Sequence, residues 1–285
     1  MNQIIKGDCL EVMRGLSDQS IGMVLADLPY AVTACSWDLI IDPPKMWAEF
    51  ERLIQPDRAM VLTATQPFTS LLVSSNLKSF KYDWVWCKSR ATDFVRAKLK
   101  PMGGHESVLV FSLASVANGA KQNMLYNPQG LYHVGKTCKN GGGGVGFIGR
   151  NKENLGPNNK LHQPTYTQEK AGYPNTKLFF DSEIGTTHPT QKPVALFEYL
   201  IRTYTNPGDV VLDPTAGSMT TAIAALNTGR GYICIEKDPD EYRKGLQRVE
   251  EHLAKPQQFN LLEPTPSLPA AATVQQTTIF DALSI

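Results

Sequence analysis

The 285-residue chain has no run of eighteen apolar residues, although 42% of its residues are hydrophobic. A membrane-spanning helix needs about twenty such residues, so the sequence offers no candidate for one. The first residues, Met1 to Asp8, also lack the charged and then apolar layout of a secretion signal. We therefore expect a cytoplasmic protein with no membrane partner, large enough for one α/β domain with an insertion or for two modest domains.

Cysteine is also scarce, and its five copies form no CxxC pair. An odd number of widely spaced thiols does not suit a disulfide framework, and zinc sites usually use closely paired cysteines or histidines. The sequence therefore predicts reduced, mostly buried thiols and no metal site.

Charge is nearly balanced, at +1 overall, but it is unevenly distributed. Residues 78–100 contain seven basic and two acidic residues, and residues 121–177 contain eight basic and two acidic residues. These two positive stretches suit a protein that holds a phosphate backbone. A solvated, lysine-rich surface is the alternative.

Short runs rich in valine and isoleucine, bounded by turn residues, predict buried strands. Helical patterns lie between several of them, most clearly in Pro193 to Thr205, where apolar residues share one face behind a proline suited to a first turn. This alternation predicts an α/β fold with a mostly parallel, doubly wound sheet. The predicted strands are Ile21 to Asp27, Ala59 to Thr63, Tyr82 to Cys87, Ser107 to Ser112, Asp209 to Asp213 and Gly231 to Glu236.

The strand and helix pattern fails from about Leu113 to Thr187, where Gly, Asn, Gln and Lys dominate. A structureless loop of that length is improbable in a compact domain, so we predict a small inserted subdomain. The expected organisation is a first half of the main domain at 1–112, the insertion at 113–187, a second half at 188–255 and a flexible tail at 256–285.

The first motif, Asp27-Leu28-Pro29-Tyr30, lies where a predicted strand ends, and open α/β sheets bind ligands at that edge. Methylating an exocyclic amine requires acceptors for its two N–H groups, and the Asp27 carboxylate and the Leu28 carbonyl can supply them. Pro29 stiffens the turn, and Tyr30 offers a stacking face for a flipped base. For these four residues alone, an ordinary turn is an equal alternative.

The second motif, Asp213-Pro214-Thr215-Ala216-Gly217-Ser218, runs from a predicted strand through a turn of small residues into a helix. Such a turn lets a cofactor approach the backbone. Glu236 ends the next strand, where an acidic side chain can accept hydrogen bonds from both hydroxyls of a ribose. Together they predict a nucleoside cofactor site, and the lack of a GxGxxG sequence disfavours a dinucleotide.

The third motif is His188-Pro189-Thr190-Gln191-Lys192-Pro193, a polar loop before the predicted amphipathic helix. Backbone N–H groups at a helix N-terminus can bind a carboxylate, such as one on a cofactor. We interpret His188 as a hydrogen-bonded loop residue and not as a catalyst.

In this order, the three motifs resemble those of the DNA amino-methyltransferases in their beta arrangement, over roughly residues 4 to 253. In that family the catalytic motif precedes the cofactor motif, and a target-recognition region lies between them. The resemblance implies a Rossmann-like methyltransferase fold with permuted motif order, and S-adenosylmethionine as cofactor. It also implies double-stranded DNA as substrate, base flipping, and a bacterial or phage-encoded enzyme.

The resemblance implies roles for individual residues. The catalytic loop is Asp27, Leu28, Pro29 and Tyr30, and the cofactor loop is Asp213, Thr215, Ala216, Gly217 and Ser218. Glu236 is implied to bind the ribose, Thr190 and Lys192 to grip the methionine end, and Asp8 to lie near the adenine of the cofactor.

Two positions depart from the family pattern. Leu28 replaces the commoner first proline of the tetrapeptide, which a position used through its carbonyl should tolerate. Met219 stands where the family usually has a second glycine. We expect its side chain to crowd the start of the helix, and so to weaken cofactor binding or reshape the loop.

The first residue of the tetrapeptide bears on the target base. Family members that begin it with Asp usually act on adenine N6 and those that begin it with Ser on cytosine N4, so Asp27 favours adenine. Cytosine N4 is the alternative, because both amines present the same two N–H donors. Cytosine C5 is disfavoured because its methylation needs a thiolate, and none of the five cysteines lies in a Pro-Cys context.

The insertion is expected to carry sequence recognition. The tail sequence Gln276 to Phe280 resembles short peptides that dock on bacterial sliding clamps, and a homodimer is a further expectation. Rival hypotheses are a DNA-binding protein with impaired catalysis and a methyltransferase of RNA or protein. The candidate DNA-binding residues are Lys88, Arg90, Lys136, Lys139, Arg150 and Lys160.

Overall fold

The computed structural model describes residues 1–29, 41–139, 165–183 and 191–255. These residues form two compact units. The sheet unit comprises the described residues within Met1–Gln129 and Pro174–Pro256, and the ribbon unit those within Gly130–Tyr173. No helix in the described ranges is long and apolar enough to cross a membrane.

Strands and helices alternate within the described residues of 2–75 and again within 194–254. The strands are β1 (Asn2–Lys6), β2 (Ile21–Asp27), β3 (Ile54–Ala64), β4 (Phe80–Thr92), β5 (Gly103–Ser112), β6 (Tyr132–Lys139), β7 (Thr165–Ala171), β8 (Lys177–Phe180), β9 (Val210–Asp213) and β10 (Gly231–Glu236). The helices are α1 (Cys9–Arg14), α2 (Pro43–Leu53), α3 (Phe68–Ser75), α4 (Val194–Tyr204), α5 (Thr220–Asn227) and α6 (Pro239–Ala254).

The sheet unit is built on an eight-stranded sheet in the order β1-β10-β9-β2-β3-β5-β4-β8. The strands from β1 to β3 in this order are parallel to their neighbours, and β8 is parallel to β4. Of the strands described in this sheet, β5 alone runs antiparallel, against both β3 and β4. The predicted mostly parallel α/β sheet is therefore confirmed.

The alternating side chains of β2 show that helices pack against both faces of the sheet. Met23 and Leu25 lie in the hydrophobic cluster that includes α4 and α5, whereas Val24 and Ala26 lie in the cluster that includes α2 and α3. Because neighbouring strand residues point to opposite faces, a strand buried on both faces reads as a continuous apolar run. This is why β2 was predictable from sequence.

The six predicted strands and the predicted helix all occur. The predicted bounds of β2 and β10 match those observed, while β3, β4 and β5 extend further. In α4, Pro193 is the N-cap and Thr205 the C-cap, so the helix lies just inside the predicted range. The strands β1 and β8 and the antiparallel direction of β5 were not predicted.

The region between β5 and α4 divides differently from the expected insertion at 113–187. Residues 113–129 and 174–183 belong to the sheet unit, and the ribbon unit is confined to Gly130–Tyr173. The reason is apolar burial: Met124 and Leu178 are 6% and 5% exposed within the sheet unit. In the ribbon unit, β6 and β7 pair as an antiparallel hairpin with mostly exposed side chains.

An aromatic hydrogen-bond cluster fixes β4 against α4. The Trp84 indole N–H donates to the Tyr204 hydroxyl at 2.6 Å, and the hydroxyls of Tyr82 and Tyr204 lie 3.0 Å apart. Tyr204 is completely buried and Trp84 is 3% exposed. Buried polar groups of this kind stabilise a fold mainly because losing one partner leaves the other unsatisfied.

Replacing Tyr204 tests this cluster. In Tyr204→Phe the buried indole N–H loses its acceptor, so we expect the free energy of unfolding to fall by about 1–3 kcal/mol. Urea unfolding followed by tryptophan fluorescence measures this. Tyr173→Phe, at a tyrosine that is 63% exposed, is the matched control and should leave the value unchanged. Equal stability of the two variants would show that the cluster does not stabilise the fold.

Candidate active site

The first and second sequence motifs meet at the carboxyl edge of the sheet. Strands β2 and β9 are adjacent and parallel, with Met23 opposite Val211 and Val24 opposite Leu212. The loops that follow them therefore leave the sheet side by side. The Thr215 hydroxyl donates a hydrogen bond to the Asp27 carbonyl at 3.1 Å, which joins the two loops directly.

The Asp27 carboxylate is held from two directions. Its Oδ1 accepts a hydrogen bond from the Thr63 hydroxyl at 2.6 Å, and its Oδ2 accepts one from the Lys192 ammonium at 2.7 Å. Thr63 stands opposite Asp27 in the β2–β3 register. The carboxylate is thus fixed in orientation while its side chain keeps 25% exposure at the end of β2.

Lys192 is the central cation of this site. Its side chain is 7% exposed and lies 2.7 Å from Asp27 Oδ2 and 3.4 Å from Glu106 Oε2. Burial disfavours the charged ammonium, but the two carboxylates outweigh that cost and raise the pKa of Lys192. The sequence assigns Lys192 to the methionine end of a cofactor, whereas the structure places its ammonium on Asp27.

Glu106 links this site to a second buried lysine. Its Oε1 lies 2.5 Å from the Lys88 ammonium, and the side chains of Glu106 and Lys88 are only 9% and 10% exposed. The Lys88 ammonium also lies 5.6 Å from the centre of the Trp86 ring. A lysine that binds DNA phosphate needs an ammonium group open to solvent, so this burial argues against the DNA contact predicted for Lys88.

The second motif folds around Asp213, which is 3% exposed. Its Oδ1 accepts a hydrogen bond from the backbone N–H of Thr215 at 3.1 Å, and its Oδ2 accepts one from the Thr221 hydroxyl. Burial raises the pKa of Asp213 to about 7, with Asp27 and Glu236 adding to the effect and the two hydrogen bonds opposing it. Asp213 thus holds the loop in shape, and its carboxyl group is partly ionised at neutral pH.

Glu236 anchors the same loop from the neighbouring strand β10. Its Oε2 accepts the backbone N–H of Gly217 at 2.8 Å, and its Oε1 accepts that of Asp238 at 2.8 Å. Burial raises the pKa of Glu236 despite these bonds. Gly217 has a φ of 44°, a conformation that glycine adopts without a steric cost.

Met219 does not crowd the loop in the way that the sequence led us to expect. The residue adopts the left-handed conformation, with φ 59°, at the N-cap of α5, and its side chain is completely buried in the core. Gly245 of α6 makes room for it, because a Cβ there would lie 2.5 Å from Met219 Cγ and 2.8 Å from the Gly217 carbonyl oxygen. Arg248 of α6 donates to the Ser218 carbonyl at 2.6 Å and completes this support.

Asp8 lies at the same edge, after β1. It is the N-cap of α1, and its Oδ1 accepts the backbone N–H of Leu10 at 3.0 Å. Its Oδ2 lies 3.1 Å from the Lys237 ammonium. Burial opposes ionisation, but Lys237 and the backbone N–H groups together lower the pKa of Asp8. The structure therefore places an ionised carboxylate beside the end of β10.

Of the residues predicted to bind DNA, Arg90 and Lys136 have exposed side chains, in agreement with a solvent-facing role. The described side chains contain no group of acids, histidines and cysteines arranged to hold a metal ion. Tyr30, His188, Thr190, Arg150, Lys160 and Gln276 to Phe280 lie outside the described residues, as does the side chain of Lys139.

Sequence reasoning missed the groups that hold the motifs in place. Thr63, Glu106, Gly245 and Arg248 belong to no motif, and each acts through a residue distant in the chain. A signal for Glu106 existed, because an acidic residue just before the apolar run Ser107 to Ser112 is unusual in a buried strand. The others carry no signal in a single sequence.

A family model described as DNA methylase, of the N6/N4 type, matches residues 23–247. The chain is 30% identical over 263 residues to the DNA adenine methyltransferase YhdJ of Escherichia coli strain K12, which covers 87% of this chain and 82% of that protein. It is 23% identical over 294 residues to the Type II methyltransferase M.HinfI of Haemophilus influenzae, covering 92% and 72% respectively.

Solved structures show the same architecture. The M1.HpyAVI–SAM complex matches with a TM-score of 0.58 at 23% identity, covering 87% of this chain and 99% of that one. The cytosine-N4-specific PvuII DNA methyltransferase matches with a TM-score of 0.58 at 17% identity, covering 87% and 86%. At these identities the likeness establishes the fold alone, which agrees with the Rossmann-like methyltransferase fold expected from sequence.

The raised pKa of Asp213 predicts how stability depends on pH. Between the ordinary aspartate pKa of about 3.9 and its folded value of about 7, the folded state binds more protons than the unfolded state. The contribution of Asp213 to the free energy of unfolding therefore falls as pH rises through this window, by at most about 1.4 kcal/mol per unit. About one pH unit above the folded pKa, this contribution becomes constant.

Asp213→Asn removes this titration. Urea unfolding at pH 5.5 and 7.5 should show that the wild type loses roughly 1–2 kcal/mol more than the variant over this interval. Asp240→Asn, at an exposed aspartate, should retain the wild-type pH dependence. A wild type and an Asp213→Asn variant with the same slope would refute the assignment.

Proposed function

The chain belongs to the N6/N4 family of DNA methylases, and from that premise we propose that it transfers a methyl group from S-adenosylmethionine to adenine N6 in double-stranded DNA. The observation that carries this proposal is the fixed Asp27 carboxylate at the end of β2, joined through Thr215 to the loop after β9. A reacting amine and a nucleoside cofactor can both be bound within reach of these two loops.

The residues present fit S-adenosylmethionine. Each oxygen of the Glu236 carboxylate accepts one backbone N–H and has capacity for one more donor, which matches the two hydroxyls of a ribose. The acidic side chains of Asp8, Asp27, Asp213 and Glu236 lie along this edge. Lys237 and Lys192 pair with Asp8 and Asp27, so these side chains fit the cofactor mainly as hydrogen-bond acceptors for its hydroxyl and amine groups. We assign Asp213 to Ser218 and Glu236 to the cofactor, with Asp8 beside them.

S-adenosylmethionine, when bound, supplies a methyl group activated by a positively charged sulfur. The chain must direct the lone pair of the target amine towards that methyl group. Asp27 and the Leu28 carbonyl accept the two N–H groups of the amine, which draws its lone pair out of the ring. When the new N–C bond forms, the bond between the methyl carbon and sulfur would break, with its electron pair going to sulfur. The nitrogen must then release one proton, and we assign its acceptance to the Asp27 carboxylate.

In this scheme Lys192 is a positioning residue. It fixes the direction of Asp27 Oδ2, as Thr63 fixes that of Oδ1, so that the carboxylate meets the amine in one orientation. Glu106 in turn holds Lys192 in place. The pair of interactions on Asp27 limits the rotation that a free aspartate side chain would have.

Adenine N6 is the proposed target because the tetrapeptide begins with Asp27, and because the relative with 30% identity is named a DNA adenine methyltransferase. Cytosine N4 is the second candidate, since a cytosine-N4-specific enzyme shares the fold. The same two acceptors would serve either amine. The test below distinguishes the two bases.

The ribbon unit is proposed to take part in target recognition. Lys136 on β6 is exposed there, and Arg150 and Lys160 of the same predicted region lie outside the described residues. Sliding-clamp binding through Gln276 to Phe280, which also lies outside them, stays a prediction from sequence, as does a homodimer.

Methylome sequencing of DNA from cells expressing the protein tests the function. We expect N6-methyladenine at one recurring sequence in cells with the wild type, and none there in cells with Asp27→Ala, which lacks the amine acceptor. Folding of the variant is checked by its unfolding midpoint. N4-methylcytosine would replace the adenine assignment, and methylation that persists in Asp27→Ala would contradict the mechanism. Absence of both modifications would favour a DNA-binding protein with impaired catalysis.

Replacing Lys192 tests its positioning role. In Lys192→Met, Asp27 loses the ammonium group that fixes its Oδ2, so its carboxylate can rotate away from the amine. We expect kcat to fall by about 10- to 1,000-fold, while the Kd for S-adenosylmethionine changes little.

Lys45→Met, at a lysine that is 65% exposed on α2, is the matched control and should retain both values. A large increase in the Kd of Lys192→Met for S-adenosylmethionine, with an unchanged kcat, would instead support the role at the methionine end that the sequence implies.

A further inference from the structure

We propose that the turn joining β4 and β5, residues 92–103, is a wedge that enters the DNA duplex beside the target base. This wedge loop would fill the space that the flipped base leaves and would keep the base from returning. The inference rests on the proposed function, because it concerns how the target reaches Asp27.

The wedge loop carries three apolar side chains that are almost fully exposed. Phe94 is 79%, Val95 is 95% and Leu99 is 84% exposed. Single exposed apolar residues are common on protein surfaces, but three within six positions form a patch. Such a patch indicates a surface that becomes buried when a binding partner docks on it.

The wedge loop lies at the same edge of the sheet as Asp27. Strand β4 brings Lys88 to Glu106, and Glu106 contacts the Lys192 that holds Asp27. The strand then continues to Thr92, which pairs with Gly103, two β5 residues from His105, the partner of Cys87. At about 3.3 Å per residue, the wedge loop begins roughly 7 Å beyond the Cys87–His105 pair along the sheet. A duplex that delivers a base to Asp27 must pass close to this loop.

The local backbone presents the apolar side chains instead of folding them inward. Cys87 pairs with His105 and Thr92 pairs with Gly103, so β4 uses five residues where β5 uses two. The surplus forms a bulge, which bends a strand out of the sheet. Beyond it, Asp93 adopts a left-handed conformation with φ 74° and begins the short helix Phe94–Arg96.

Ion pairs hold the wedge loop in this shape. Asp93 binds the Arg96 guanidinium at 2.7 Å and the Lys100 ammonium at 2.6 Å. The two basic side chains nevertheless stay 62% and 51% exposed. Asp93 thus ties together both sides of the turn on which Phe94, Val95 and Leu99 project.

Charge identifies DNA as the occupant of this surface. Residues 89–103 contain Arg90, Arg96, Lys98 and Lys100 but only one acid, Asp93, for a net charge of +3. Cations on both sides of an apolar tip match the two phosphate backbones on either side of a base step. In an interface between two copies related by a twofold axis, the same cations would face each other and repel.

The chemistry of base flipping supplies the reason for a wedge. Extruding a base removes its pairing and stacking, and apolar side chains inserted between base steps replace part of the lost stacking. A substrate whose target base is already unpaired needs less of this help. The ratio of kcat/KM on duplexes with and without the partner base therefore measures how much the wedge loop contributes.

The test compares a double variant, Phe94→Ala with Val95→Ala, with the wild type on two substrates. One is an unmodified duplex that carries the recognition sequence found by methylome sequencing. The other is the same duplex with an abasic site opposite the target base. The double variant should lose about tenfold or more in kcat/KM on the paired duplex and stay within about threefold of wild type on the abasic one. Leu77→Ala, at a 70% exposed leucine near the other end of β4, is the control and should match the wild type on both.

The outcomes separate the wedge from the proposed function. If the double variant loses kcat/KM equally on the two substrates, or loses none on either, the wedge proposal is overturned. The proposed function still stands in that case, provided that the wild type is active. Equal losses together with a change of molecular mass in light scattering would assign the surface to a second copy of the chain and overturn the wedge. A wild type that methylates neither substrate would overturn the proposed function, and the wedge with it.

Discussion

The site depends on the pairing of two parallel strands, β2 and β9, that come from opposite ends of the chain. Parallel neighbours lie about 4.8 Å apart, and their carboxyl ends point to the same edge. The loops after them must therefore meet, and the Thr215 hydroxyl reaches the Asp27 carbonyl although the two residues are 188 positions apart. Because the sheet supplies this proximity, the order in which the chain visits the two loops does not affect the chemistry.

The features that the sequence predicted are those fixed by local pattern. β2 and β10 are continuous apolar runs that end in an acid, so both their bounds and the positions of Asp27 and Glu236 could be read directly. The contacts of Thr63 and Glu106 depend instead on which strands become neighbours and in which register. The antiparallel β5 shows the difficulty, because nothing in its apolar run distinguishes its direction from that of β3.

Two lysines and two acids form a neutral, mostly buried group at the active edge. Lys88 and Lys192 balance Asp27 and Glu106, and three of the four side chains are 10% exposed or less. Buried pairs of this kind add little net stability, since desolvation offsets much of their attraction. Their value here is geometric: an orientation held by neighbouring charges does not have to be found again in each catalytic cycle.

The contact between Met219 and Gly245 carries a consequence for sequence variation among relatives. The methionine fills a space that exists only because α6 has no side chain at position 245. A chain with glycine at position 219 would leave a cavity there. A larger residue at 245 would not simply fill it, because its Cβ would also lie 2.8 Å from the Gly217 carbonyl oxygen. Glycine at position 245 is therefore required by the loop backbone as well as by Met219, and a redesign that enlarges position 245 would have to move that loop.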